Sequence, residues 1–233
     1  MAFVHHQGDR RLIDRHPDEP ERSTDLAMQQ PACYSIVDLM EMMAERIGEA
    51  ARSLNGDDAA AFVDELLVAR RVYVAGAGRS GLVARAFAMR LRHLGVESFV
   101  VGETITPALQ EGDTLVAFSG SGETNSIVDY CEMVREIGGR ICLITATPAS
   151  RIGRMANCTV NLGNHAPRIG GMPGRYEVRQ LTGQYRSVAP AFAPFGTLFE
   201  MTALVFSDAV LSAMMELKHC SLEEIKGRLA NIQ

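Results

Sequence analysis

Tryptophan is absent from the 233 residues, and aromatic residues make up only 6% of them. A surface that stacks bases needs several exposed rings, so this chain is a poor candidate for gripping nucleic acid that way. Positive charge is not in excess either: 23 Lys and Arg stand against 28 Asp and Glu, a net charge of −5. That balance argues against general nucleic-acid binding. The five cysteines, Cys33, Cys131, Cys142, Cys158 and Cys220, include no CxxC pair. An odd number in apolar segments reads as reduced thiols in a cytoplasmic protein, not as a disulfide framework. No run is read as long and apolar enough to span a membrane. The first residues lack the apolar core of a signal peptide, and Asp9, Asp14 and Glu19 speak against a transit peptide.

What is present is an ordinary apolar fraction, 47%, enough for a sizeable core. Residues 1–31 are polar and carry Pro17, Pro20 and Pro31, so they are expected to be a disordered extension. His5, His6 and His16 lie in that segment without preorganised geometry, and no metal site is expected. Residues 32–233 read as a single domain. Its first helix, capped by Ser35, carries Ile36, Leu39, Met40, Met43, Ile47, Ala50 and Leu54 at helical spacing and closes near Asn55-Gly56. That Met-rich stripe is read as core or subunit contact. A second helix is expected over about 59–70.

Five apolar strands then alternate with helices: 71–75, 97–101, 114–118, 140–145 and 158–162, with helices over about 80–94, up to about 137, and a short one over about 150–156. Strands separated by helical crossovers give a parallel sheet buried on both faces, an α/β three-layer sandwich. Ligands of such sheets sit at the carboxyl ends of the strands. Both glycine-rich turns of this chain follow strands, so both belong to that edge. Residues 163–195 form a long loop with Arg168, Arg175, Arg179 and Arg186. A long apolar helix follows to about Leu217, and Ser221 caps a short last helix.

The stretch Ser119-Gly-Ser-Gly-Glu-Thr124 runs from a strand into a helix. Unpaired amides, the positive end of the helix dipole and three hydroxyls face one small space, which suits a phosphate. Ser119, Gly120, Ser121 and Thr124 are the candidate anion ligands, and Glu123 is expected to face outward. The earlier turn, Gly76-Ala-Gly-Arg-Ser-Gly81, matches the dinucleotide fingerprint, and Glu103 follows the second strand where a ribose contact would stand. A dinucleotide-dependent oxidoreductase is therefore one reading. Against it, Arg79 and Ser80 offer polar contacts to a small anion, and the second turn is an anion site of its own. Two such turns on one edge fit a small phosphorylated polyol better.

These turns, with Phe87-Ala-Met-Arg-Leu91, Val101-Gly-Glu-Thr104 and Pro194-Phe-Gly-Thr-Leu-Phe-Glu200, resemble the sugar isomerase (SIS) domain, and within it the 6-phospho-3-hexuloisomerases. The resemblance covers residues 34–233 apart from the Arg-rich loop. It implies a five-stranded parallel sheet, no metal, no cofactor and a homotetramer or homodimer. The implied reaction interconverts D-arabino-3-hexulose 6-phosphate and fructose 6-phosphate through an enediol, in formaldehyde fixation or, reversed, in pentose synthesis. Glu200 then stands as the base. Gly78, Arg79 and Ser80 lie beside the reacting carbons, Glu103 and Thr104 stand near sugar hydroxyls, and the Ser119 turn holds the phosphate. The family's tail reads Arg-His-Ala-Asn where this chain has Arg228-Leu-Ala-Asn231. Leu229 thus replaces a suspected acid/base histidine, and a non-catalytic sugar-phosphate-binding module is the other reading. On the catalytic reading, Leu229→His would speed reaction from fructose 6-phosphate more than from the hexulose phosphate.

Overall fold

A computed structural model describes residues 36–163 and 197–229. The described residues belong to one compact unit, Ser35–Gln233. The expected extension over 1–31, the Ser35 cap, nearly all of the Arg-rich loop, Pro194 to Gly196 and the last four residues lie outside them.

The elements are α1 (Ile36–Ser53), α2 (Gly56–Val68), β1 (Val72–Gly76), α3 (Arg79–His93), β2 (Ser98–Val100) and β3 (Thr114–Phe118). After them come α4 (Asn125–Ile137), β4 (Arg140–Thr145), β5 (Cys158–Asn161), and two further helices, here α5 (Thr197–Leu217) and α6 (Leu222–Gly227). The strands form one parallel sheet in the order β2-β1-β3-β4-β5. The order reverses at β1, so the crevice between the ends of β1 and β3 is where a ligand belongs. Gly76 at the end of β1 pairs in register with Phe118 at the end of β3. The two glycine turns therefore leave the sheet side by side.

The strands are buried on both faces, which explains their unbroken apolar runs. Alternate residues serve opposite cores. Val72, Val74, Val116, Phe118 and Ile144 face α2, α3 and α5, whereas Tyr73, Ala75, Leu115, Ala117 and Leu143 face α4 and the turns after β4. On the first face Phe62, Phe87, Phe118 and Phe206 form a chain of rings, with centroids 6.4 Å (Phe62–Phe87), 5.6 Å (Phe62–Phe206) and 5.9 Å (Phe87–Phe118) apart. Each such contact adds about 1 kcal/mol beyond area burial. The chain ties α2, α3 and α5 to the residue just before Ser119.

Three expectations need correction and one is narrowed. Asn55 does not close the first helix. It caps the second, its side chain accepting from the amides of Asp57 and Asp58, so α2 starts earlier than the apolar pattern suggests. The helix expected over 150–156 is a series of turns. Arg154 and Ala156 donate back to the Ser150 and Ile152 carbonyls, but Ile152 N–H goes to Gly122 O and Gly153 N–H to Ser150 Oγ, so the helical bonds are not consecutive. Of the two readings of the α1 stripe, core or subunit contact, core holds fully only at Ala50, and the exposed Ile36 and Met40 leave the subunit contact open. Finally, α5 has 21 residues and a mean hydropathy of 1.5, enough by length and composition to cross a bilayer. It packs against α1, α2 and α3, and its buried residues include Ala203, Phe206, Val210, Leu211 and Met214.

Below the opposite end of the sheet, Asp113 is fully buried. Its carboxylate accepts from Arg70 Nε at 3.0 Å, Arg71 Nε at 3.1 Å, Arg71 Nη2 at 2.6 Å and the Gln110 amide at 2.8 Å. Burial alone would raise its pKa, but these donors, Arg71 foremost, hold it below the usual carboxylate value. The stability this gives is present above the unfolded-state pKa near 3.8 and is lost as pH falls through the lower folded-state value. Asp113→Ala is expected to cost about 1–3 kcal/mol, because it leaves Arg71 with only the Ala108 carbonyl and the Tyr73 ring and leaves the Gln110 amide without its acceptor. Urea unfolding would measure it, and a loss below about 1 kcal/mol would refute the assignment.

Candidate active site

The first turn begins where β1 ends. Gly78 caps α3 with φ 57°, a left-handed conformation that suits glycine, and has no side chain to cap with. Arg79 and Ser80 thus open α3 at the carboxyl edge. Ser80 is buried and its Oγ donates to Glu200 Oε1 at 3.3 Å. Arg79 is half exposed, and its Nε lies 3.5 Å from Glu200 Oε2. At that distance the contact is an ion pair, and Oε2 accepts no closer hydrogen bond among the described residues.

Glu200 lies in the first turn of α5, 8% exposed. Burial raises its pKa above the ordinary glutamate value. Arg79, the carboxylate's bond to its own amide and the Ser80 hydroxyl oppose the rise without cancelling it. A buried carboxylate with raised proton affinity, next to a hydroxyl and a cation, can accept a proton from carbon and return it.

The second turn follows Phe118. Ser119 N–H donates to Ile144 O, and Gly120 O accepts from Ala146 N–H and from Thr145 Oγ, so the end of β4 holds the turn from below. Ser119 Oγ accepts from Gly122 N–H at 3.1 Å, and Ser121 Oγ accepts from Glu123 N–H at 3.2 Å. With their lone pairs engaged by backbone, these hydroxyls can turn their protons toward an anion. Thr124 is the N-cap of α4, yet its side chain caps nothing; its Oγ1 lies 3.5 Å from Ser119 Oγ. Glu123 is exposed, as expected, and accepts from the Arg151 amide.

The start of α5 touches both turns. A Cβ on Gly120 would stand 3.1 Å from the Phe199 ring, while the next residue, Glu200, reaches Ser80. Glu200, Arg79, Ser80 and Gly78 are thus gathered in one place beside Gly120, with Ser119, Ser121 and Thr124 on the same turn. Glu103 and Thr104 are exposed and not part of this cluster. The Glu103 carboxylate instead accepts from Arg85 at 2.8 Å. Arg85, with Gly76, Gly78, Val101, Ser126 and Tyr130, lines a recess of about 360 Å³ on the β2 side of the first turn, and neither Glu200 nor Ser119 lines it. Leu229 lies elsewhere. The Arg228 guanidinium would stand 3.1 Å from a Cβ on Gly95, which precedes β2, so position 229 is at the opposite edge of the sheet.

Sequence reasoning missed Thr145, Phe199 and Thr197. Thr145 carries no signal outside the folded contacts, and Phe199 stands in the Gly-Thr-Leu-Phe-Glu200 stretch with nothing there to tie it to Gly120. Thr197 stands one helical turn before Glu200, a spacing visible in the sequence.

A parallel sheet with two glycine-rich turns side by side at its switch point and a buried glutamate beside them defines an α/β domain built for a ligand at the carboxyl edge. The SIS domain model matches residues 65–172. A 3-hexulose-6-phosphate isomerase of Bacillus subtilis is 36% identical over 196 residues, covering 83% of this chain and 98% of that protein. One of Mycobacterium gastri is 31% identical over 85% of this chain and 92% of its own length. A crystal structure from Methanococcus jannaschii, described as inferring that same activity, superposes with a TM-score of 0.66 at 27% identity, over 84% of this chain and 99% of that one. The chain belongs to the SIS-domain family of sugar-phosphate isomerases.

Proposed function

We propose that this protein interconverts D-arabino-3-hexulose 6-phosphate and fructose 6-phosphate. The observation that carries the reading is the buried Glu200 carboxylate, raised in proton affinity and bonded to Ser80 at the mouth of the first glycine turn. Moving a carbonyl from C3 to C2 requires loss of the C2 proton and gain of one at C3, and one base can do both. Glu200 takes that role. Ser80 and Arg79 donate toward the oxygens at which charge develops. Ser119, Ser121 and Thr124, with the Gly120 backbone, hold the phosphate and so fix the open chain against Glu200. Glu103 and Thr104, both exposed, are assigned to the sugar hydroxyls. A homodimer or homotetramer is the assembly we favour, with the exposed Ile36, Val37 and Met40 of α1 as contact surface. The cytoplasm is the expected compartment.

A 3-ketose phosphorylated on O6 cannot close a five- or six-membered hemiketal. It reaches the site already open, so no ring-opening acid is needed in that direction, and the loss of the tail histidine weighs less. The test mixes the protein with formaldehyde, ribulose 5-phosphate and a hexulose phosphate synthase, and follows fructose 6-phosphate. Its appearance only when this protein is added is the expected result. Tight binding of fructose 6-phosphate without turnover would instead make the protein a sugar-phosphate-binding module. A nicotinamide-dependent absorbance change would return the oxidoreductase reading.

A further inference from the structure

Thr197 opens α5, 7% exposed, and its Oγ1 has no hydrogen-bond partner among the described residues. The other hydroxyls of this helix behave differently. Thr202, Ser207 and Ser212 each donate to the carbonyl four residues back, at 2.8 Å, 2.7 Å and 2.9 Å. The Thr197 hydroxyl makes no such bond. Buried polar groups without partners are exceptions in folded proteins, and a valine would fill the same volume without an unpaired hydroxyl. Glu200 Oε2, three residues on and on the same helix face, also accepts no hydrogen bond, although Arg79 Nε faces it at 3.5 Å. The helix face that carries the candidate base thus also carries a buried hydroxyl that can both donate and accept.

We infer that Thr197 contacts the substrate at C2 and C3 and relays the hydroxyl proton between their oxygens. The inference rests on the isomerase reading. Isomerisation moves two protons. Glu200 takes the C2 proton, the C–H electron pair becomes the C2–C3 double bond, and the C3 carbonyl pair moves onto O3. The Thr197 hydroxyl donates its proton to O3 and takes the one leaving O2. Glu200 then returns its proton to C3 as the C2 carbonyl forms. Atoms and charge balance, and Thr197 and Glu200 end as they began. This arrangement supplies an oxygen-to-oxygen transfer without a histidine at position 229.

Thr197→Val removes the hydroxyl and keeps the shape. Its turnover is expected to fall by about a hundredfold, the scale of losing one donor to a developing oxyanion, with KM changed far less. Its thermal midpoint should equal or exceed the parent's, because the unpaired hydroxyl is gone. Thr197→Ser should recover turnover to within about tenfold of the parent. A valine variant within about threefold of parental turnover would overturn the inference. So would a serine variant as slow as the valine one. Calorimetric titration with fructose 6-phosphate separates this from the function itself. If the parent binds the sugar without converting it, the isomerase reading fails. Even then, weakening by about fivefold in Thr197→Val would uphold the contact, and unchanged affinity would reject it.

Discussion

Glu200→Gln is expected to lower turnover by about a thousandfold, with the affinity for fructose 6-phosphate within a few-fold of the parent's. Glutamine keeps the shape and can still accept from Ser80, but it cannot take a proton from carbon. The same substitution should stabilise the fold at neutral pH. Burial raises the Glu200 pKa, so its contribution to stability is full below the unfolded-state value of about 4.5 and is lost as pH rises through the folded-state value. At pH 7 the parent therefore holds a desolvated charge that the variant lacks, and below about pH 4 the two should converge in stability. The acid limb of the pH–rate profile should lie above the ordinary glutamate range for the same reason. Retained turnover in Glu200→Gln would remove Glu200 as the base. Lost turnover with an unchanged acid limb in a slow residual reaction would assign that limb to another group.

The sheet was legible because its signals are local. Unbroken apolar runs mark strands buried on both faces, and the bounds of β3, β4 and the end of α4 agree with the sequence reading to the residue. What failed was decided by contacts that neighbours in sequence do not reveal. Ser150 to Ala156 carries helix formers, yet the Ile152 amide is drawn to Gly122 across the sheet edge. Asn55-Gly56 is an acceptable helix end and an equally good helix start, and the tertiary placement of Phe62 and Leu66 in the core chose the second. The site residues could be nominated from their turns, but their closeness could not. Ser80 and Glu200 are 120 positions apart in sequence, and only the packing of α5 on α3 brings them into contact. Glu103 could likewise be nominated from its place after β2, but its ion pair with Arg85, one helical turn beyond Gly81 on α3, could not be read from the sequence.

Gly76→Ala should damage both halves of the site at once. A Cβ there would stand 2.7 Å from the carbonyl carbon and oxygen of Ser80 and 2.8 Å from the Gly81 nitrogen. These are backbone atoms in the first turn of α3, so no side-chain rotation relieves the overlap. The fit is mutual, since a Cβ on Gly81 would lie 2.6 Å from the Gly76 carbonyl oxygen. The start of α3 must therefore move away from β1, and Ser80 and Arg79 move with it, away from Glu200. Overpacking of this kind costs about 1–3 kcal/mol in stability. A displacement near 1 Å at a reacting group lowers kcat/KM by about a hundredfold. Because Gly76 pairs with Phe118, the shift also strains the strand end that carries Ser119, so phosphate affinity should fall as well. Gly56→Ala is the matched control. Nothing lies within 4 Å of its Cβ position and its φ is not left-handed, so the gain of about 0.4–1 kcal/mol expected for a compatible glycine should appear with activity unchanged. Equal activity in the two variants would mean that the β1 turn tolerates displacement and that Ser80 does not orient Glu200.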